Sequence, residues 1–124
     1  MAAPNIVNVA TITAKTDTAL LTGTSATAAL SNAASSGKVL KVNSLVISNV
    51  DASAAATITI GIYPQDDIAG TAVVYANAVS VAPNSFLVAI DKDVGMYLEE
   101  DTSLGVTASA ANDLTYTITY EELS

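Results

Sequence analysis

The chain has 124 residues, a length that suits one domain burying about two-thirds of the surface that its unfolded form exposes. Four Lys against twelve Asp and Glu give a net charge of −8, and the scattered lysines form no patch that could bind the phosphate backbone of a nucleic acid. Without His or Cys, the chain lacks the imidazole and thiolate groups of most nucleophilic enzymes and zinc sites.

The first predicted elements are short strands. Ile6 to Thr16 is rich in Thr and β-branched residues and predicts a first strand, with Pro4 at its entry. The next twenty residues are rich in Ala, Ser and Thr, and Gly23 interrupts any helical stripe, so we expect two short strands near Leu20 to Thr22 and Thr27 to Leu30. The segment SNAASSG after them predicts a loop.

The stretch from Lys38 to Tyr63 predicts two long strands folded back on each other across a turn of small residues. Its second half has isoleucine at every second position from Ile58 to Ile62, which is typical of a half-buried strand. Its first half is too continuously apolar for one solvated face. We therefore expect a central strand there, bulged near Asn43 and Ser44.

The second half of the chain continues the pattern of short strands separated by turns. Pro and Gly with acidic or Asn residues mark the turns, and almost no helical period is present. The predicted fold is an all-β antiparallel sandwich of about eight strands, of Ig-like or jelly-roll type, forming a single domain over residues 1–124. The later strands are expected at Thr71 to Val81, Phe86 to Ile90 (with Phe86, Val88 and Ile90 on one face), Met96 to Leu98, Leu104 to Ala110, and Leu114 to Tyr120.

The acidic residues offer the one candidate for metal binding. Asp91 and Asp93 form a D-x-D pair, with Glu99, Glu100 and Asp101 close behind, and calcium binds such oxygens in irregular loops. No EF-hand spacing is present, so the favoured interpretation is that acidic turns keep an Ala-rich domain soluble and block edge pairing. We expect no cofactor. Because these acids lie in solvated turns, we also expect no enzymatic activity.

Two surface patterns bear on binding. A flat outer face carrying Thr57, Thr59 and the threonines of the last strand, Thr115, Thr117 and Thr119, could lie against a neighbouring protein or simply be solvated. Exposed tyrosines could stack on sugars, but Tyr116 and Tyr120 alternate with Leu114 and Ile118 as a core stripe would. The small side chains imply a thin core, which favours a homo-oligomer.

Three stretches of this chain resemble small virion structural proteins of tailed bacteriophages, notably those infecting marine bacteria and cyanobacteria. They are PNIVNVATIT (residues 4–13), TSATAALSNAASSGKVLKVNSLVISNVD (24–51) and YLEEDTSLGVTASAANDLTYTITYEELS (97–124). In such proteins an SL-x-(I/V)-SN strand precedes an Ala- and Thr-rich partner, and a YLEE-D turn precedes a final pair of strands. The resemblance spans most of the chain and contains no catalytic motif.

The resemblance implies a β-sandwich that coats or connects parts of a virion, as a symmetric homo-oligomer on the outside of the capsid. The expected function is a capsid decoration protein that contacts the major capsid protein or neighbouring virion proteins. The alternatives are a neck or tail component and a carbohydrate-binding module for host attachment. With no Cys and no secretory signal in the opening MAAPNIVNVA, we expect assembly in the host cytoplasm.

The expected contact segments are weakly charged, and their sequence pattern assigns few of their residues to the core. They are the N-terminal segment from Ala2 to Val9, within an expected extended arm over residues 1–9, and the stretch from Leu20 to Ala34. We expect no membrane partner, since no apolar run approaches the roughly 20 residues of a spanning helix. The individual interface candidates are Pro4, Ile6, Val7, Val9, Leu20, Leu21 and Leu30.

Overall fold

The computed structural model describes residues 8–124, and these form a β-sandwich with two antiparallel sheets. The five-stranded sheet has the order β1-β9-β3-β6. Its fifth strand, β7, pairs with the part of β3 that precedes the part paired with β6. The four-stranded sheet has the order β2-β8-β4-β5. The predicted all-β sandwich is therefore confirmed. Its strands are β1 (Ile12–Leu20), β2 (Thr27–Asn32), β3 (Val39–Asn49), β4 (Ala56–Tyr63), β5 (Val73–Val81), β6 (Phe86–Ile90), β7 (Met96–Leu98), β8 (Thr102–Ala108) and β9 (Leu114–Leu123).

The core lies between the inner faces of the two sheets and is built from alternate residues of the central strands. Burial of β3 alternates almost perfectly along its length, and most of β9 shows the same period, whereas β8 is buried on both faces from Ser103 to Val106. β3 is central, as predicted, and its register shifts between Val42 and Ser44, which confirms the expected bulge. The fully buried aliphatic residues include Leu45, Ile47, Ile58, Ile60, Ile90, Leu104, Val106, Leu114 and Ile118.

The predicted pairing of β3 with β4 is wrong. β3 lies in the five-stranded sheet and β4 in the four-stranded sheet, so the connection between them crosses from one sheet to the other. The buried Asn49 side chain holds this crossing: its amide donates to the carbonyls of Ala54 and Val81, both at 2.9 Å, and its oxygen accepts from the Asp51 N–H. Alternation shows which face of a strand is buried, but not which strand pairs with it.

A second asparagine holds the crossing between β2 and β3. The buried Asn32 amide donates to the carbonyls of Lys38 at 2.9 Å and Leu98 at 3.0 Å, while its oxygen accepts from the Ser36 hydroxyl. Like Asn49, Asn32 follows an aliphatic residue and a serine at the end of its strand, in the sequences LSN and ISN. These two buried amides donate hydrogen bonds to backbone carbonyls that would otherwise be shielded from water without a donor.

The first strand is displaced from its prediction. β1 begins at Ile12 rather than Ile6 and runs to Leu20, where it takes in the start of the short strand expected near Leu20 to Thr22. It extends this far because β9 pairs with it along its whole length, from Ile12 opposite Leu123 to Leu20 opposite Thr115. The expected extended arm over residues 1–9 falls largely outside the described residues.

The predicted threonine face is divided between the two sheets. Thr57 and Thr59 lie on β4 in the four-stranded sheet, whereas Thr115, Thr117 and Thr119 lie on β9 in the five-stranded sheet. Because outer faces of a sandwich point in opposite directions, these residues belong to two surfaces rather than one. Only the threonines of β9 share a face with β1.

A pinned loop covers one end of the outer face of the four-stranded sheet. The buried Ser103 hydroxyl donates to the Gln65 carbonyl and accepts from the Ile68 N–H, both at 2.8 Å. This places Ile68 and Tyr63 directly over Gly105, where a Cβ atom would lie 2.6 Å from the Tyr63 ring. The glycine is thus required by close packing.

Candidate interaction surfaces

The acidic residues proposed as weak calcium ligands lie in turns. The Asp91 carboxylate caps a short 3-10 turn (Lys92–Val94) by accepting from the N–H groups of Asp93 and Val94, and the Asp101 carboxylate accepts from the Asp66 N–H. Glu99 is exposed and Glu100 is partly exposed in the turn before β8. Within residues 8–124, no group of three or more His, Cys, Asp or Glu side chains is placed to hold a metal ion.

The predicted interface residues are scattered. Pro4, Ile6 and Val7 lie outside the described residues, Val9 is partly exposed, and Leu20 is exposed at the end of β1. Two of the predictions are corrected by the structure, because Leu21 is 3% exposed and Leu30 is 6% exposed, and both belong to the core.

The physical reason for these two corrections is local. Leu30 lies opposite Leu104 of β8 on the inner face of the four-stranded sheet. Leu21 follows the last residue of β1, and its N–H donates to the Leu114 carbonyl, which draws the side chain inward. A stretch of Ala, Ser and Thr gives no periodic contrast that would have identified these leucines as core residues.

An exposed apolar surface that the sequence did not predict lies along the β6 and β7 side of the five-stranded sheet. We call it the apolar edge, and it comprises Phe86, Val88, Val94 and Tyr97, whose exposed fractions range from 48% to 66%. β6 and β7 pair with successive parts of β3, and Val94 lies in the turn between them. The four residues therefore follow one another along the same margin of the sheet.

A second bulge in the pairing of β3 with β6 turns Phe86 and Val88 outward. Val88 lies opposite Val46 and Phe86 opposite Ser48, but the register shifts before Ile90, which lies opposite Leu45 and is buried. The prediction that Phe86, Val88 and Ile90 share one face is therefore wrong. A bulge adds one residue to a strand and reverses the facing of every residue beyond it.

The opposite margin of the same sheet is β1, and all nine of its residues are exposed. Its outer-face threonines form hydroxyl pairs with β9. The Oγ1 atoms of Thr18 and Thr117 lie 3.2 Å apart, and those of Thr16 and Thr119 lie 3.4 Å apart. On the inner side, Thr13, Lys15, Asp17 and Ala19 point past the edge of the opposing sheet and remain in solvent. β1 thus adds a strand to the sheet without adding to the core.

Charged groups tie β1 to its neighbours. Glu122 accepts from Lys15 at 3.1 Å and from Lys38 at 3.3 Å. Partial burial would raise the pKa of Glu122, but the hydrogen bonds from the two lysines outweigh it, and the pKa lies below its usual value. The Tyr120 hydroxyl donates to Asp17 at 3.2 Å, and burial together with the charge of Asp17 raises the pKa of Tyr120 to about 12.

Of the five tyrosines, Tyr116 and Tyr120 are buried in the stripe of β9, as predicted from their alternation with Leu114 and Ile118. They are unavailable for stacking on a sugar ring. Tyr75 and Tyr97 are exposed, but they lie on different sheets. The structure therefore provides no paired aromatic platform from these residues.

No protein-family model matches the chain, and no curated protein matches it by sequence. Solved structures do match. A chain from Bacillus endospore appendages, a family of disulfide-linked pili, aligns over 92% of this chain and 88% of its own with a TM-score of 0.52 at 14% identity. A chain from the acidic stable capsid of Helicobacter pylori bacteriophage KHP30 aligns over 94% and 90%, with a TM-score of 0.50 at 6% identity.

A third structure, the capsid asymmetric unit of cyanophage Pam1, contains a chain that aligns over 99% of this chain and 91% of its own at 13% identity. Its TM-score of 0.38 is too low to infer a shared fold. The first two likenesses show that the sandwich is shared with a pilus chain and a phage capsid chain. The described part of this chain also contains no helix that is long and apolar enough to cross a membrane.

Proposed function

We propose that this protein is a structural component of a bacteriophage virion, and specifically a capsid decoration protein that binds the outer surface of the head. Its partner would be the major capsid protein or a neighbouring virion protein. The observation that carries the proposal is the apolar edge. It is an exposed surface with two aromatic side chains on a protein whose sequence offers no thiol or imidazole for catalysis.

The apolar edge has the composition expected of a protein-binding surface. Aromatic residues are enriched in interface cores, and charged residues belong to the rim. Tyr97 lies opposite Lys41 on the outer face, and Lys41 lies opposite Glu121 of β9, which in turn accepts from Asn43 at 3.2 Å. Polar residues therefore border the exposed apolar residues on the side toward the middle of the sheet, a pattern that marks interaction sites.

The shared fold supports an assembly function. Two structural neighbours, with TM-scores of 0.52 and 0.50, come from protein assemblies, a pilus and a phage capsid. The pilus is disulfide-linked, whereas this chain has no cysteine. Contacts between this protein and its partners would therefore not be disulfide bonds, and burial of apolar side chains is an interaction that can supply their free energy.

The test is to add the purified protein to phage particles that lack it and to count the copies bound per particle by quantitative mass spectrometry. A decoration protein should bind in hundreds of copies that follow the capsid lattice. Six to a few dozen copies would instead indicate a neck or tail component, and the absence of binding would overturn the proposed virion function.

Matched variants test whether the apolar edge makes the contact. Val88→Glu places a charge on the apolar edge, and Thr107→Glu places the same charge on the outer face of the four-stranded sheet. We expect Val88→Glu to abolish binding to the particle and Thr107→Glu to leave it unchanged. Equal loss of binding in both variants, with both still folded by circular dichroism, would refute the assignment of this surface.

A further inference from the structure

The outward side of β1 presents a row of backbone groups that no strand among residues 8–124 takes up. The N–H of Thr11 donates to the Ser124 carbonyl and that of Ser124 to the Thr11 carbonyl, both at 2.9 Å, and the Leu21 N–H donates to the Leu114 carbonyl. Since hydrogen-bonding direction alternates along a strand, the odd-numbered residues bond to β9. The backbone groups of Ile12, Ala14, Thr16, Thr18 and Leu20 therefore point away from the sheet.

This edge lacks most of the features that prevent pairing between molecules. Exposed edges are usually short, bulged or interrupted by proline, whereas β1 has nine residues, no proline and an unbroken register with β9. Its two charged residues, Lys15 and Asp17, point to the inner side, and an inward-pointing charge normally opposes pairing. Here the two charges are opposite in sign and flank the central residue of the strand.

That central residue, Thr16, makes the sequence of β1 complementary to itself. In an antiparallel pair of two copies centred on Thr16, each Lys15 faces the Asp17 of the other copy, and each Ile12 faces the other Leu20. Ala14 faces Thr18, and Thr13 faces Ala19. Every position therefore meets a residue of opposite charge, of similar polarity or of small size.

We propose that two copies of this chain associate through β1, antiparallel about a two-fold axis at Thr16, so that their five-stranded sheets become one continuous sheet. Thr16 then forms a hydrogen-bonded pair with its own copy, as do Ala14 with Thr18 and Ile12 with Leu20. The pairs of Lys15 with Asp17 are non-hydrogen-bonded pairs, in which side chains approach more closely. This inference does not depend on where the protein sits in a virion.

Charge selects this register over its neighbours. A pairing centred on Lys15 would place the two lysines opposite each other, and one centred on Asp17 would do the same with the two aspartates. Shifts by a single residue are excluded because they would set inner-face residues against outer-face residues. In the register centred on Thr16, Lys15 keeps its bond to Glu122 and Asp17 keeps its bond to Tyr120, so each dimer contact extends an existing network.

A charge-exchange experiment tests both the interface and the register. We expect the wild-type protein to sediment as a dimer, and Lys15→Asp and Asp17→Lys each to sediment as monomers because every cross-copy pair then has like charges. An equimolar mixture of the two variants should form a heterodimer, since the two aspartates of one variant face the two lysines of the other. Thermal melting of each variant establishes that it is folded.

Three results would overturn the proposal. They are a wild-type protein that stays monomeric at all concentrations, single variants that dimerise as well as the wild type, and folded variants whose mixture stays monomeric. Any of these results would show that two copies do not pair through β1 in the register centred on Thr16.

Cysteine cross-linking provides a second, independent test, since the chain has no cysteine of its own. In the proposed dimer the two Thr16 Cα atoms lie about 5.5 Å apart, within the range of about 4.4–6.8 Å that a disulfide bridges. We expect Thr16→Cys to form a covalent dimer under mild oxidation. The control is Thr117→Cys on the same face of β9, where the two copies lie at least about 14 Å apart, or three strand spacings. Equal cross-linking of both variants would contradict the register.

Discussion

The two margins of the five-stranded sheet differ in what they offer a partner. β1 offers backbone groups along nine residues, with side chains that are small, polar or oppositely charged. The apolar edge offers side chains, chiefly Phe86 and Tyr97, on strands of only five and three residues. A long free backbone suits another β-strand, whereas exposed aromatic side chains suit a surface with a complementary pocket.

One sheet could therefore make two kinds of contact without an added domain. In the proposed assembly, hydrogen bonding along β1 would set geometry and register, and burial at the apolar edge would supply affinity. In the proposed dimer the β1 strands lie at the centre and the two apolar edges lie at the far margins. Self-association would then leave both apolar edges free for virion proteins, and the variants below are chosen to separate the two contacts.

The largest expected effect comes from removing the support that both margins share. Ile118 on β9 is fully buried and lies opposite Asp17 of β1 and Leu45 of β3. We expect Ile118→Ala to reduce the free energy of unfolding by about 2–5 kcal/mol, because it removes buried methyl groups and leaves a cavity. Urea denaturation measures this. Thr117→Ala, on the outer face of the same strand, should change it by no more than about 0.5 kcal/mol.

Two variants test the two margins of the sheet separately, one at the apolar edge and one in β1. Phe86→Ala should weaken binding to the particle by at least about 30-fold, the loss typical of a central aromatic contact worth about 2 kcal/mol, and should leave dimerisation intact. Thr16→Pro should abolish the dimer and retain binding of the monomer to the particle, because the lost N–H points away from β9. Sedimentation and particle binding are measured on both variants. A variant that loses both properties while still folded would show that the two margins form one site.

Asn49 tests the support of the apolar edge. Its side chain bonds to two carbonyls at the crossing between sheets, and its own N–H donates to the Ser85 carbonyl, next to the first residue of β6. We expect Asn49→Ala to cost about 1–3 kcal/mol in the free energy of unfolding, since buried carbonyls lose their donors. Thermal or urea unfolding provides the measurement. The exposed Asn77 of β5 is the control, and an equal loss for Asn77→Ala would contradict this account of the crossing.

The smallest expected effect is a pH dependence at the β1 margin. Because the pKa of Glu122 in the folded protein lies below its ordinary value of 4.5, the ionised form contributes stability above that pH, and the contribution is lost as the pH falls through the lowered pKa. Glu122→Gln should therefore be less stable than the wild type at pH 7, with the difference shrinking at acid pH. Melting temperatures across pH 3 to 7 measure this, and a constant difference would show that the carboxylate is not responsible.

Much of the fold could be predicted from the sequence because alternation is a strong signal where one face of a strand is buried. The buried tyrosines of β9 follow from it, and the bounds of β6 and β7 and the bulge before Ser44 were also predicted correctly. Pairing partners do not follow, since β3 and β4 bury similar stripes against the same core from opposite sheets. Both crossings between the sheets follow a serine-asparagine pair, ending at Asn32 and at Asn49. This repeat identifies a crossing only once the asparagine side chain is known to be buried.

The interaction surfaces were less predictable, for physical reasons that differ at the two margins. The bulge between β3 and β6 exposes Phe86 and buries Ile90, and no local pattern in the sequence marks it. The complementarity of β1 about Thr16 is readable in the sequence, yet it acquires meaning only when both faces of the strand are known to be exposed. Leu21 and Leu30 failed as surface predictions because their neighbours are small and uniform.

The most direct test of the two-margin account is a cryo-EM reconstruction of the intact particle that carries this protein. The account predicts that Phe86 and Tyr97 are buried against another virion protein and that β1 lies antiparallel to β1 of a second copy, with Thr16 at the two-fold axis. Density in which the apolar edge faces solvent while the four-stranded sheet contacts the particle would contradict it.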